Sequence, residues 1–255
     1  ALQAPSGSHL LGTDRYGRDL LTRIIVGAQT TIFSALALVA GITIIGTIVG
    51  IICGYVGGWI DSLLMRISDI FLAFPEMVFA IAIAGVLNGG IWSAAIAVGL
   101  IAWPRYARVA RSQVLSMKNH QYMNAAKLTG TPWYKMIVKH IMPNIMGPII
   151  VTAALDIGAM IMNLAGLSYL GLGVVPPTPE WGSMMSEGRS MLQTSPWIVL
   201  APGLAIFITV VIFNLLGDTV RDILDPKQKR RSITSNMKKV KNIVSGDSKR
   251  EKSLV

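Results

Sequence analysis

Three stretches of this chain carry no charged side chain: residues 24–60, 77–104 and 190–217. Each exceeds the roughly 20 residues a helix needs to cross a hydrocarbon core, and is far longer than the ~11-residue helix of an ordinary soluble domain. Charged residues make up 14% of the chain and hydrophobic residues 52%, against about 25% charged in a typical soluble domain. Most of the chain must therefore face lipid or other apolar helices. The expected fold class is all-α, a polytopic transmembrane helical bundle. Apolar length gives five expected spans, at about 30–55, 69–88, 91–107, 143–170 and 197–217.

Lys and Arg counts in the connections orient these spans. The segment from Arg105 to His140 holds seven and no Asp or Glu, and the segment from Asp218 onward holds eleven, whereas Ser168 to Pro196 holds Arg189 alone with Glu180 and Glu187. The two basic segments are thus expected on the cytoplasmic side and the 168–196 loop outside. Threading back makes Asn88 to Gly90 an external turn, Gly57 to Ser68 cytoplasmic, and residues 1–24 an external segment leading into the first span. An external start is most simply resolved by a preceding sixth span that this chain lacks. Arg15, Arg18 and Arg23 are offset locally by Asp14 and Asp19 and contribute little to orientation. The expected organisation is a membrane domain over 25–218, a cytoplasmic loop at about 108–142, and a basic, disordered cytoplasmic tail over 219–255 lying against anionic lipid. The net charge of +10 is accounted for by this clustering, so the bilayer is an expected partner and nucleic acid is not.

Gly46, Gly50, Gly54 and Gly58 recur every four residues in the first span and share one helix face. Such a face lets another backbone approach closely, which is how membrane helices associate when lipid is as apolar as a neighbour. The single cysteine, Cys53, lies within the same apolar run and reads as a packing residue.

The segment Tyr122 to Asn144 reads YMNAAKLTGTPWYKMIVKHIMPN. A short helix-favouring run, Asn124 to Leu128, meets Gly130, suited to the left-handed residue that closes a helix. Thr131 and Pro132 follow as expected N-cap and first helical position. Helix, sharp break, helix is more than a connector requires. Two readings stand: a rigid knob that a motor protein grips, and an interfacial helix resting on lipid head groups.

The residues Asn124, Ala125, Ala126, then Gly130, then Met142 and Pro143 resemble the Glu-Ala-Ala loop of binding-protein-dependent ABC importer permeases. More narrowly, the chain resembles the second permease of the dipeptide, oligopeptide and nickel importers. Leu11-Gly12-Thr13-Asp14 with Gly17-Arg18-Asp19, the run Leu167 to Gly173 followed by Pro176-Pro177-Thr178-Pro179 and Trp181-Gly182, and Gly217-Asp218 with Arg221-Asp222 and Leu224-Asp225-Pro226 support the narrower resemblance, which covers roughly residues 9–226. It implies an importer-permease bundle in the bacterial inner membrane, forming half of a translocation pathway for peptides, with nickel or a metal chelate as alternative cargo. The implied partners are a second homologous permease, two cytoplasmic ATPases and an extracellular or periplasmic solute-binding protein. ATP and Mg belong to those ATPases, and no cofactor is expected on this chain. The ATPase-docking residues implied are Asn124, Ala125, Ala126, Lys127, Gly130, Pro132, Met142 and Pro143. Asn124 stands where the family has Glu and Met142 where it has Leu. Without that carboxylate, docking would rest on shape and on Lys127.

An ionisable residue at membrane depth is a functional candidate. Asp156, near the middle of the fourth expected span, is a candidate pathway-lining residue that meets a substrate ammonium or metal complex, or else pairs with a polar group on the partner permease. Glu76 reads as an interfacial position. A different class of function, an intramembrane enzyme with Asp156 and Glu76 as paired carboxylates, requires both to share one cavity. A self-sufficient channel would conduct without ATP. The thirteen Met residues are scattered and read as gap-fillers rather than metal ligands. No phosphate-cradling glycine loop and no HExxH pattern occurs, and His9, His120 and His140 lie far apart in sequence. No catalysis and no metal site is therefore expected. The loop from Pro176 to Trp197, with Trp181, is an external surface for the binding protein or a cap on the pore.

Overall fold

The structure is a computed structural model that describes residues 1–224. Nine α-helices follow one another among them: α1 (Leu20–Val56), α2 (Gly58–Leu72), α3 (Glu76–Val86), α4 (Ile91–Lys118), α5 (Gln121–Leu128), α6 (Trp133–Lys135), α7 (Met142–Tyr169), α8 (Trp181–Gly188) and α9 (Trp197–Leu224). The expected all-α class holds. Among the described residues the only β-pairing is an isolated bridge between Thr13 and Asp19.

Asp19 starts α1 by accepting hydrogen bonds at Oδ2 from the Thr22 N–H and the Thr22 hydroxyl, both 2.8 Å, satisfying a donor that the first turn leaves unpaired. The helix therefore begins five residues before the boundary expected at residue 25. It ends where Gly57, at φ 71°, and Gly58, at φ 64°, turn the chain into α2.

The expected span at 69–88 is the clearest departure. Residues 58–68, expected as a connection, are helical and continuous with 69–72, and α2 and α3 meet at a 92° bend with Pro75 between them. Proline has no N–H and disfavours helical geometry in the residue before it, so one straight helix cannot run through. Among the described residues, three helical stretches are long and apolar enough to cross a membrane, Leu20–Val56, Trp133–Tyr169 and Trp197–Leu224, and a fourth if the bent pair counts as one. The remaining expected span, 91–107, lies in α4, whose 28 residues suffice in length but whose second half carries Arg105, Arg108 and Arg111.

The helices run back and forth between two ends. At one end the N-terminal segment, the turn at Gly89 and the stretch at Leu172 come together: Gly89 lies against Leu172, and Gly12 against the Trp197 ring. At the other, Lys118 Nζ donates to the Tyr55 carbonyl at 2.9 Å and Arg111 pairs with Asp61. The core is correspondingly divided. One buried cluster joins Leu38, Ile42, Val98, Ile101, Tyr106, Ile161 and Trp181, and a second, nearer the Lys118 end, joins Ile51, Val114, Met123, Met136, Ile141 and Ile145.

The basic tail expected over 219–255 lies from residue 225 on outside the described residues, as do Asp225 and Pro226 of the third motif; residues 219–224 belong to α9.

Candidate functional site

The loop region is shorter than expected. Residues 108–118 continue α4 without a break, so the element that projects is α5, the turn after it, and α6. The α5 C-terminus closes as the sequence predicts: the Thr131 N–H donates to the Ala126 carbonyl at 3.1 Å and the Gly130 N–H to the Lys127 carbonyl at 3.0 Å. This double closure needs a left-handed residue between, and Gly130 supplies it at φ 72°. The next helix starts one residue later than expected, with Pro132 as its N-cap and Trp133 as its first residue. Thr131 instead brings its hydroxyl 3.3 Å from that of Thr129.

Six of the eight docking residues sit on this hook, and five of them, Asn124, Ala125, Lys127, Gly130 and Pro132, are exposed. Ala126 is half-buried. Met142 and Pro143 lie apart, in the exposed first turn of α7. Pro143 accounts for the widened π-type turn at Met136–Ile141 just before it, because a ring that clashes with the preceding turn and lacks an N–H loosens the helical ladder there. The hook is anchored from beneath by Met123, Met136 and Ile141, each 1% exposed. Sequence reasoning missed its outward apolar tip, where Leu128 is 89%, Trp133 65% and Tyr134 51% exposed. The aromatic pair immediately after Pro132 was the available signal. It also left His120 and His140 apart, whereas both rings lie against Tyr122, at centroid distances of 5.8 and 6.4 Å.

The glycine face packs α1 on α4. A methyl group at Gly46 would lie 2.7 Å from the Trp103 carbonyl oxygen, one at Gly50 2.6 Å from Ala110 Cβ, and one at Gly54 2.7 Å from Val114 Cβ. Gly58 does not join them. It lies beyond the Gly57 turn and faces open space. Cys53 is fully buried on the same helix.

Asp156 has a charged partner within this chain. Its Oδ1 accepts a 2.7 Å hydrogen bond from Arg105 Nη1, with the Asp156 side chain 4% and the Arg105 side chain 60% exposed. Arg105, the first charge of the expected basic connection, lies mid-way along α4. Glu76, exposed at the first position of α3, accepts from Asn163 Nδ2 at 2.9 Å. The two carboxylates thus have separate partners on separate elements. Among the described residues no group of His, Cys, Asp and Glu is placed to hold a metal ion.

At the N-terminal end, charged side chains are buried together. Asp14 Oδ1 accepts from the Tyr16 and Arg18 N–H groups, both 2.9 Å, and its Oδ2 takes Arg18 Nε at 2.6 Å and Arg23 Nη1 at 2.8 Å. Arg18 and Arg23 also reach Glu187 Oε2, at 3.2 and 2.8 Å. Burial alone would raise the Asp14 carboxyl, but these hydrogen bonds and the Arg18 charge carry it below its ordinary value. Glu180 caps α8, accepting from Gly182 and Ser183 N–H at 2.9 and 2.8 Å. There burial wins, and its carboxyl is pushed above the ordinary value despite those bonds. Trp181 Nε1 donates to the Ile24 carbonyl at 2.9 Å. The sequence motifs around Asp14 and Trp181 are therefore two halves of one contact.

Comparison with known proteins agrees with this geometry. Residues 46–230 match the family described as binding-protein-dependent transport system inner membrane component. Over 228 residues the chain is 45% identical to the dipeptide transport system permease protein DppC of Alkalihalophilus pseudofirmus, covering 89% of this chain and 75% of the relative. It is 42% identical over 226 residues to the probable D,D-dipeptide transport system permease protein DdpC of Escherichia coli, covering 89% and 76%. It is 44% identical over 225 residues to the glutathione transport system permease protein GsiD of Escherichia coli, covering 88% and 74%. Among solved structures, a chain of the inward-facing MetNI methionine ABC transporter superposes with a TM-score of 0.60 at 14% identity, covering 81% of this chain and 98% of that one.

Proposed function

The chain belongs to the binding-protein-dependent transport system inner membrane components, and from that premise we propose that it passes small peptides and takes its drive from an ATPase docked on the hook at residues 121–135. It is a multi-pass permease subunit of an ABC importer in the bacterial inner membrane. Its relatives are transport permeases, not enzymes.

Peptide cargo is supported by those relatives, whose names specify dipeptides, D,D-dipeptides and glutathione. Nickel or a metal chelate is not favoured by them. The enzyme alternative has no geometric support, since Asp156 is engaged by Arg105 and Glu76 by Asn163.

One observation carries the docking role: the hook presents Leu128, Trp133 and Tyr134 outward while Met123 and Met136 hold it to the bundle. Apolar residues so exposed at the end rich in Lys and Arg mark a surface meant to be covered. The occupants proposed are one of two cytoplasmic ATPases, which bind the ATP and Mg that this chain does not. A second homologous permease would complete the pathway, and a solute-binding protein would meet the opposite end. Gly130→Val tests the hook. Space is open there, so the substitution acts through backbone conformation, at about 1–2 kcal/mol for a left-handed non-glycine residue. The reconstituted complex is expected to assemble and hydrolyse ATP while peptide uptake falls. Uptake coupled as in the unaltered complex would count against docking.

A further inference from the structure

The membrane-depth surface of the bundle has two unlike flanks. On one, α1, α2 and α4 frame an apolar groove lined by Phe33, Ile45, Leu64, Trp92, Ile96 and Trp103. On the other lies Arg105: it is nine residues from Ile96, or two and a half helical turns, and so on the opposite side of α4. Its guanidinium is mostly exposed, and only Nη1 is engaged among the described residues, by the buried Asp156 behind it. It lies 14 residues into the 28-residue α4, towards the Lys118 end of the expected 91–107 span, where an exposed charge facing lipid tails is expensive. The apolar flank suits lipid, and the Arg105 flank does not.

A second polar pair shares that flank. Asn163, which holds the exposed Glu76 carboxylate at 2.9 Å, is seven residues beyond Asp156 on α7. Seven residues are two turns, so the two anchors lie on one face, about 10 Å apart along the axis. The face thus offers a guanidinium whose free N–H groups match a carboxylate bidentately, and, two turns away, a carboxylate that accepts from an ammonium. A zwitterionic peptide carries these charges at its two ends, and three extended residues span about 10 Å.

Building on the peptide-importer reading, we infer that Arg105 and Glu76 form a polar track in the translocation pathway, Arg105 receiving the free C-terminal carboxylate of a short peptide and Glu76 its N-terminal ammonium. Asp156 and Asn163 are positioning residues: each fixes one contact group and leaves its outward side free. Engagement on single, partly exposed groups lets cargo be released.

The test uses the complete transporter in proteoliposomes, with trialanine, its C-terminal amide and N-acetyl-trialanine as probes. The binding protein's own affinities for the three are measured separately and divided out. Glu76→Gln is compared with the double variant Arg105→Gln/Asp156→Asn, which removes both charges and strands neither. The double variant is expected to lower trialanine uptake about tenfold, the worth of one charge-assisted hydrogen bond, leave uptake of the amide unchanged, and so abolish discrimination between them. Glu76→Gln is expected to abolish discrimination against the N-acetyl peptide. Unaltered discrimination in both variants overturns the track while leaving the importer reading intact. Failure of the double variant to assemble with the second permease, with Glu76→Gln discriminating normally, assigns Arg105 to the subunit interface and also overturns it. An unaltered complex that imports none of the three peptides overturns the peptide-importer reading itself.

Discussion

Arg23 Nη1 stands 2.8 Å from Asp14 Oδ2 and 2.8 Å from Glu187 Oε2, so one guanidinium nitrogen ties the N-terminal segment to a helix 164 residues further along the chain. All three side chains are at least nine-tenths buried. Removing one member of a buried pair leaves an uncompensated charge, at about 3–5 kcal/mol. Arg23→Met is therefore expected to speed amide hydrogen exchange in residues 12–22 and 181–188 together, and to leave the hook at 121–135 at its original rate.

The same end should respond to pH in two opposite ways. Asp14 has a lowered carboxyl, so its contribution is full above its ordinary value of 3.8 and is lost as pH falls through the lower folded value. Glu180 has a raised carboxyl relative to its ordinary 4.5, so the folded state binds its proton first. Stability then rises as pH falls from the folded value towards 4.5. Thermal unfolding in detergent across this range should show the gain vanish in Glu180→Gln and the acid loss shrink in Asp14→Asn.

Close backbone approach makes Gly50 sensitive to a single carbon. Its added Cβ would meet Ala110 Cβ at 2.6 Å, whereas one at Gly41 meets nothing within 4 Å. Gly50→Ala is expected to destabilise by about 1–3 kcal/mol through overpacking. Gly41→Ala should be neutral or mildly stabilising, and the unfolding midpoints of the two variants compare them directly.

On the hook, stability and coupling should separate by burial. Trp133 is 65% and Met136 1% exposed. Trp133→Ala is expected to change stability by less than about 0.5 kcal/mol yet weaken ATPase association at least about tenfold, as loss of an aromatic anchor does. Met136→Ala should cost about 2–5 kcal/mol of folding stability. Co-purification of the ATPases alongside thermal unfolding distinguishes the two.

What sequence disclosed and what it hid follow from range. Charge-free runs, glycine spacing and the closure at Gly130 are local patterns, and α1, the α1–α4 face and the end of α5 follow them closely. The partners of Asp156 and Glu187 are set by folding across 51 and 164 residues, and no periodicity encodes them. Gly58 kept the four-residue rhythm but lost the face, because the turn at Gly57 resets the helix direction. The α2–α3 bend hid for a related reason. Apolar length by itself predicts a straight span, whereas Pro75 permits a bend whose angle only the packing of α3 decides.

The seam between α1 and α4 governs how a push would travel. Helices approaching this closely at Gly46, Gly50 and Gly54, and tied again by Lys118 at the carbonyl of Tyr55, have on the α1 side no side chain to yield between them. The pair is a single stiff lever about 42 Å long, with α5 at its handle and the turn before Ile91 at its far tip. A stroke delivered at one membrane face would arrive at the other nearly undiminished.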